Sequence, residues 1–160
     1  MLISFIEKFM LDDLDRRILR NLQNDPEQSL PDLANLLGMT SSRLSRRLEK
    51  LRENGIYRGQ RAIIDWRALG FEVEVSLRIT LDKTQTRAFD DFIASARDIP
   101  EVIEIQTFLG RVDVRLSVIA RDMGHYQKIY RDRILTLPHI SDIEALMHVS
   151  RIKSEETLPL

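Results

Sequence analysis

Hydrophobic residues recur at the spacing of α-helices in the first third of the chain. One stripe covers residues 11–23, and two shorter stripes flank the turn 38–40. Ser29 and Thr40 stand where helix N-caps belong, and Gly55 stands where a helix ends in the left-handed conformation. The pattern predicts three helices, the last two joined by a short glycine-containing turn, which is typical of a helix-turn-helix unit. The stripes consist of Leu11, Leu14, Ile18, Leu19 and Leu22, then Leu30, Leu33, Ala34 and Leu37, and finally Leu44, Leu48 and Leu51.

The pattern changes from helical spacing to alternation after residue 70. Every second residue is apolar from Phe71 to Leu81, as in a strand that buries one face. Further alternating stretches and helical stripes follow, and Gly110-Arg111 is placed to make a tight hairpin turn. The order β-α-β-β-α-β predicts a ferredoxin-like antiparallel sheet with both helices on one face. The expected elements are strand 71–81, helix 86–97, strands 103–109 and 112–118, helix 123–134 and strand 143–149.

A connecting stretch separates the two patterns. Residues 56–65 contain β-favouring residues around Gly59, which predicts a wing or a connecting strand. The expected fold class is therefore α+β, with a three-helix (winged) helix-turn-helix domain followed by a ferredoxin-like domain. The proposed boundaries are 1–60 for the first domain, 61–70 for a linker strand and 71–160 for the βαββαβ domain.

One face of the predicted sheet has no cover within the chain. Val102, Phe108 and Leu146 fall among the residues of that face. An open sheet face that carries large apolar residues marks an interaction surface, and most soluble oligomers pair identical surfaces. The sequence therefore predicts pairing with a second copy of the chain.

Positive charge is concentrated on the second helix of the predicted helix-turn-helix. Residues 41–61 hold seven basic residues against two acidic ones, whereas the whole chain has a net charge of −1. Phosphate contacts need only a local basic patch, so the pattern favours binding to double-stranded DNA. The alternative is a solvated helix face with i,i+4 ion pairs, for which only Glu49 and Glu53 are present. The candidate DNA contacts are Ser41, Ser42, Arg43, Ser45, Arg46, Arg47 and Lys50.

Several kinds of chemistry have no residues to support them. The chain has no Cys, which excludes disulfides and thiolate metal sites. No apolar run is long enough for a membrane span, and residues 1–10 lack the parts of a signal peptide. No P-loop, dinucleotide fingerprint or nucleophile elbow occurs, and the three His are isolated. We therefore expect no catalytic residues, no metal or cofactor, no membrane partner, and a location in the cytoplasm with the nucleoid.

Seven local sequences together resemble the Lrp/AsnC family of leucine-responsive and asparagine-responsive regulators. Each is weak alone, but unrelated proteins would have to reproduce all of them at matching intervals. The resemblance extends from residue 11 to about residue 153. The matches are LDDLDRRIL at 11–19, LANLLGMT at 33–40, RRLEKLRENGIYRG at 46–59, PEV at 100–102, the turn 110–113, DMGHY at 122–126 and LPHISD at 137–142.

The resemblance implies a DNA-binding regulator that forms homodimers through its sheet domains, often assembled further into tetramers or octamers. It also implies a pocket between neighbouring dimers for an amino acid or another small effector. Arg47 matches a basic position that the family usually keeps. By contrast, Thr-Ser-Ser-Arg at 40–43 replaces the Ser-Pro-Thr-Pro-like start of many recognition helices, so a known operator does not transfer to this chain.

The effector turn of the family usually reads Gly-Asp-aromatic-Asp, whereas this chain has Gly-Arg-Val-Asp at 110–113. A zwitterionic amino acid needs donors for its carboxylate and acceptors for its ammonium group. Arg111 is expected to bind the carboxylate, and Asp113 or Glu144 is expected to bind the ammonium group. Alternatively, Arg111 forms an ion pair with Asp142 or Glu144 of a neighbouring protomer. The predicted effector residues are Gly110, Arg111, Asp113 and Glu144.

Two other classes of function remain open. A DNA-organising protein without a ligand is favoured by the altered effector turn. An enzyme is the second alternative, because some proteins with this architecture are sirohaem decarboxylases. Those enzymes share a His-containing run, and this chain has EVIEIQTFLG at 101–110 instead.

Overall fold

The computed structural model describes residues 10–84, 86–153 and 157–160. These residues form two units, each with its own hydrophobic core. The helical unit comprises residues 10–63 together with 157–160, and the sheet unit comprises the described residues between 64 and 153. Within the described residues, no helix is long and apolar enough to cross a membrane.

The helices of the helical unit begin where capping residues allow. The side chains of Ser29 and Thr40 each accept a hydrogen bond from a first-turn N–H, which confirms both predicted N-caps. The first helix begins two residues later than predicted, because Asp12 and Asp15 cap each other reciprocally. Gly55 has the predicted left-handed backbone, with φ of 69°. The three helices are α1 (Asp13–Asn24), α2 (Leu30–Leu36) and α3 (Ser41–Glu53).

The predicted apolar stripes meet in one small core. Ile18 of α1, Leu33 of α2 and Leu44 of α3 are at most 1% exposed, as the helical spacing predicts. Burial of these three residues fixes which face of α3 remains in solvent. The helix that carries the positive charge is therefore held by its opposite, leucine-bearing face.

Residues 157–160 pack with the helical unit. The backbone N–H of Leu158 donates to Oε1 of Gln23 at 2.7 Å, and Nε of Arg20 donates to the carbonyl oxygen of Leu160 at 3.0 Å. Leu160 also packs against the helical core. The proposed domain boundaries assign these residues to the second domain, whereas their contacts lie in the first unit.

No strand forms at 56–65, where the backbone bends at Ile56 and is otherwise irregular. Ile63 and Ile64 are 92% and 67% exposed. A strand needs a hydrogen-bonding neighbour, and no described segment pairs with this stretch. Its β-favouring residues are therefore insufficient to form a strand within one protomer.

The sheet unit has the predicted order β-α-β-β-α-β. Neighbouring strands are all antiparallel, and the four strands, counted along the chain, lie side by side in the order second, third, first, fourth, which confirms the ferredoxin-like prediction. A π-helical turn at Tyr130–Ile134 continues the second helix. The elements are β1 (Val73–Leu81), α4 (Ala88–Arg97), β2 (Val102–Thr107), β3 (Val114–Ala120), α5 (Met123–Ile129) and β4 (Ile140–Met147).

Both helices cover the same face of this sheet. Leu77 of β1 and Leu116 of β3 are Cα partners and are fully buried. Phe92 of α4 and Ile129 of α5 belong to the same core. This confirms the predicted layer of helices on one face.

The edges of the sheet depart from the alternating pattern. A register shift between Val102 and Glu104 packs Val102 against the core and leaves Ile103 49% exposed. The expectation that Val102 lies on the open face is therefore wrong. The expected tight turn at Gly110-Arg111 is also wrong, because β2 ends at Thr107 and β3 begins at Val114.

The second face of the sheet is buried at one end of β1. Glu74 and Ser76 occupy its polar positions, yet they are only 3% and 7% exposed. The Glu74 carboxylate contacts Arg67 at 3.3 Å and Arg151 at 2.5 Å, with His148 at 3.6 Å. The prediction of a half-buried strand is therefore wrong for this end of β1, because flanking segments cover it. At the other end, Arg78 remains exposed.

Candidate nucleic-acid interface and effector cleft

α3 presents a polar, cationic face to solvent. Leu44 and Leu48 are buried, whereas Arg43 and Arg46 between and beside them are exposed. Within the described residues, no hydrogen bond or ion pair engages the side chain of either arginine. Their guanidinium groups can therefore reach phosphates or base edges without breaking a contact. The other exposed candidate residues are Ser41, Ser42, Ser45 and Lys50.

Arg47 differs from the other arginines of this helix. Its Nη1 atom lies 2.7 Å from a carboxylate oxygen of Asp12 and 2.7 Å from one of Asp15. Its side chain is 27% exposed, and that of Asp15 is 6% exposed. The structure therefore corrects the expectation that Arg47 belongs to the outward-facing groups of α3. Local spacing contains no signal of this pairing, because Asp12 and Asp15 precede Arg47 by 35 and 32 positions.

Hydrogen bonds hold this network in its charged form. The backbone N–H of Asp15, followed by the Arg47 guanidinium, lowers the pKa of the Asp12 carboxyl below its usual value. The Asp12 and Asp15 carboxylates raise the pKa of Arg47 further. Asp12 and Arg47 are therefore ionised at neutral pH, and their pairing persists over the physiological range.

The sheet unit contains a cleft of about 550 Å³ beside the predicted effector turn. Arg111 and Glu144, two of the predicted effector residues, line this cleft. Gly110 is exposed at the turn and is not among the lining residues. The lining also includes Arg78 and Thr80 of β1, which the sequence pattern did not indicate as site residues. The complete lining is Arg78, Thr80, Arg111, Val112, Asp142, Ile143 and Glu144.

Asp113 has a structural role in place of the expected lining role. Its carboxylate accepts a hydrogen bond from the Leu81 N–H at 2.9 Å and lies 2.8 Å from Nζ of Lys83. Burial tends to raise the pKa of the Asp113 carboxyl, but the Lys83 and Leu81 contacts outweigh burial and lower it overall. The expectation that Asp113 contacts an effector is therefore corrected, because this carboxylate fastens the turn to the end of β1.

Two of the charged side chains in the cleft form an ion pair with each other within the protomer. Arg78 lies 3.3 Å from Glu144, and the two face each other in the β1–β4 register. Within the described residues, no ion pair engages the side chain of Arg111 or that of Asp142. The cleft therefore offers one cation and one carboxylate that are free to bind a charged ligand. Sequence alone missed this because the register of β4 against β1 decides which side chains meet.

Comparison with known proteins identifies the family of this chain. Residues 74–158 match the Lrp/AsnC ligand binding domain, and residues 11–56 match a winged helix-turn-helix DNA-binding domain. The chain belongs to the Lrp/AsnC family, a class of DNA-binding transcriptional regulators with effector-binding domains.

Individual relatives agree over nearly the whole length. The transcriptional regulator AzlB of Bacillus subtilis is 30% identical over 151 residues, which is 94% of this chain and 96% of the relative. An AsnC family transcriptional regulator from Agrobacterium tumefaciens has a crystal structure that is 30% identical, covers 93% of this chain and 97% of its own, and gives a TM-score of 0.82. A transcriptional regulator from Neisseria meningitidis in complex with L-Met is 26% identical over 94% and 97% of the two chains, with a TM-score of 0.84.

Proposed function

We propose that this regulator binds a two-fold symmetric operator by placing α3 of each protomer in the major groove. The exposed cationic face of α3 carries this proposal, because its leucine face is fixed in the core. The second helix of a helix-turn-helix reads base edges, and dimers read half-sites about one helical turn apart. The proposed direct contacts are Ser41, Ser42, Arg43, Ser45, Arg46 and Lys50.

Footprinting on genomic fragments, beginning with the promoter of its own gene, tests this proposal. We expect two protected half-sites whose centres are separated by about one helical turn or a multiple of it. A single asymmetric half-site, or no protection on any fragment, would contradict it. The proposed location is the cytoplasm, where an operator-bound regulator is found with the nucleoid.

We further propose that the open half of the sheet pairs with a second copy. On this face Phe108 is 46% exposed, and Leu146, which pairs with the buried Ser76 at the margin of the covered end, is 36% exposed. Nε of Arg115 is buried and has no hydrogen-bond partner in the described part of the chain. A buried donor without an acceptor is unfavourable, so a change of the Arg115 rotamer that lets this N–H donate to a partner's acceptor would stabilise the assembly. Homodimers of this kind can assemble further into tetramers or octamers.

Sedimentation of the full chain tests the pairing. Wild-type protein should be at least dimeric at micromolar concentration, and Leu146→Glu should shift it toward monomer. Leu135→Glu is the matched control, since Leu135 is 53% exposed but lies beyond α5, away from the open face. A monomeric wild type, or equal dissociation by both variants, would exclude this surface.

The proposed effector site is the cleft lined by Arg111. We propose that Arg111 binds a carboxylate and that Asp142, in place of Asp113, accepts hydrogen bonds from an ammonium group; both line the cleft, whereas Asp113 is bonded to Leu81. An amino acid or a similar small zwitterion fits this pair of charges. Thermal unfolding with a panel of free amino acids should show a raised midpoint for a ligand, because binding stabilises the native state. Arg111→Ala should abolish that shift.

A DNA-organising role without an effector is the second candidate. It is favoured by the internal pairing of charges, because Glu144 pairs with Arg78 inside the cleft and Asp113 pairs with Lys83 outside its lining. If no amino acid raises the unfolding midpoint and Arg111→Ala changes the oligomeric mass, Arg111 serves assembly. In either case we propose that the protein acts by binding and has no enzymatic activity.

A further inference from the structure

Asp12, Asp15 and Arg47 form a closed network between the start of α1 and the middle of α3. Oδ1 of Asp12 accepts the Asp15 N–H at 2.7 Å, and Oδ2 of Asp15 accepts the Asp12 N–H at 3.4 Å. The remaining oxygen of each carboxylate accepts a hydrogen bond from Nη1 of Arg47. Nη1 carries two hydrogens, so each carboxylate receives one. The cap of one helix is thus also the binding site for a side chain of another.

Because the Asp15 carboxylate is buried, breaking this network destabilises the folded helical unit. The Asp15 side chain is 6% exposed, and removal of one partner from a buried ion pair leaves an uncompensated charge. If the Arg47 guanidinium turned toward DNA, it would leave Asp15 in that state. Arg46, the next residue toward the N-terminus, has no such constraint, because it is exposed and its side chain makes no hydrogen bond or ion pair within the described residues.

We infer that Arg47 is a positioning residue for DNA recognition, and that it fixes α3 against α1 while its exposed neighbours contact the operator. This inference rests on the proposed function, in which α3 enters the major groove. Base contacts require a helix held within fractions of an ångström, and neighbouring side chains usually supply that support. Two carboxylates on the capped end of α1 set the position of α3 through one guanidinium.

The neighbouring arginines provide a matched comparison. Arg46→Gln and Arg47→Gln remove the same charge from adjacent positions of the full-length protein. Binding to the footprinted operator is measured over a range of salt concentrations, and hydrogen exchange of α1 and α3 amides is followed by mass spectrometry. Arg46→Gln should reduce the salt slope by about one unit and leave exchange unchanged, because it removes a phosphate or base contact.

Arg47→Gln should behave differently in both measurements. We expect faster exchange in α1 and α3 and an affinity lowered by about tenfold, which corresponds to 1.4 kcal/mol, with an unchanged salt slope. Arg47→Gln leaves the buried Asp15 carboxylate without its cationic partner. Adding Asp15→Asn removes that charge, so the double variant Asp15→Asn/Arg47→Gln should recover part of the exchange protection and of the DNA affinity. Asp15 is not a proposed DNA contact. Recovery in the double variant would therefore show that Arg47 acts through the network with Asp12 and Asp15.

Two results would overturn the inference. One is a reduced salt slope for Arg47→Gln with unchanged exchange, which would make Arg47 a DNA contact. The other is a double variant that is no better protected than Arg47→Gln alone. Absence of any footprint for wild-type protein would instead overturn the proposed function, and the exchange measurements would still test the network.

Discussion

The two units use their charged residues in different ways. In the helical unit, Arg43 and Arg46 remain exposed on α3, whereas Arg47 pairs with two carboxylates of the described part of the chain. In the sheet unit, the acids near the effector turn are mostly paired within the protomer, as Asp113 and Glu144 show. The first surface is available for a highly charged partner. The second keeps only a small number of charges for a ligand.

Geometry explains this difference. Neighbours on a helix surface are three or four residues apart, so the sequence itself shows which charges lack partners. Neighbours on a sheet come from strands far apart in the chain, as Arg78 and Glu144 do. Which charged groups of α3 are available is therefore decided by the local sequence of the helix. In the cleft it is decided by which strands the fold brings together.

The largest effect is expected from Leu44→Ala, which attacks the support of the DNA-binding face. Leu44 is fully buried, so the truncation should lower the free energy of unfolding of the helical unit by about 2–5 kcal/mol. Leu36→Ala is the control, because Leu36 is 59% exposed on α2. Urea denaturation followed by far-UV circular dichroism measures both. Equal destabilisation by the two variants would contradict the assigned core.

Glu74→Gln should have a smaller effect, of roughly 1–3 kcal/mol, on the sheet unit. The carboxylate is buried, but its partners Arg67 and Arg151 are 50% and 42% exposed and retain some hydration when it is removed. Trp66, the single tryptophan, lies next to this cluster, with the Arg67 guanidinium 4.3 Å from its ring.

Fluorescence of this tryptophan during urea denaturation therefore reports on the cluster. Glu72→Gln, at an exposed position two residues earlier, is the control and should change the midpoint little. If both variants shift the midpoint equally, the buried charge of Glu74 has no particular role.

Thr40→Ala should lower the stability of the helical unit by about 1 kcal/mol, because the N-cap hydrogen bond of α3 is lost. Ser42→Ala, which removes a hydroxyl inside the same turn, should be close to neutral. Exchange rates of the first amides in α3 distinguish the two variants. Equal rates in both would show that the Thr40 side chain does not cap the helix in solution.

The smallest effect is expected from acid titration of both units. The folded-state pKa values of Asp12 and Asp113 are lowered, so their stabilisation is present above the unfolded pKa of about 4 and is lost as pH falls below it. Urea midpoints measured between pH 6 and pH 2.5 should fall in that lower range. Asp113→Asn should flatten the fall for the sheet unit alone, and a rise in stability toward acid would contradict both assignments.

Periodicity alone predicted most of the fold. The N-caps Ser29 and Thr40, the left-handed Gly55 and the βαββαβ order follow from rules that act within a few residues or one element. The failures share one physical origin. The burial of Val102 and of Glu74 depends on a register shift and on distant segments, respectively, and neither is visible in local spacing.

The candidate sites were predicted less evenly. The exposed residues of α3 were named correctly as outward-facing, because burial of its leucines leaves no other arrangement. The pairing of Arg47 and the internal use of Asp113 were missed, since their partners lie about thirty residues away in sequence. Long-range pairs between oppositely charged residues leave no periodic signal, so a structure was needed to separate supporting charges from available ones.

The cluster at Glu74 has a topological consequence. Arg67 lies where the chain enters the sheet unit, and Arg151 lies where the chain leaves it, yet both contact one carboxylate. A module whose entrance and exit lie side by side is suited to insertion into another protein, because a host needs to open only a short gap to receive it. The sheet unit therefore has the connectivity of an inserted domain. The chain of the helical unit lies on both sides of it in sequence, because residues 157–160 pack with the helical core.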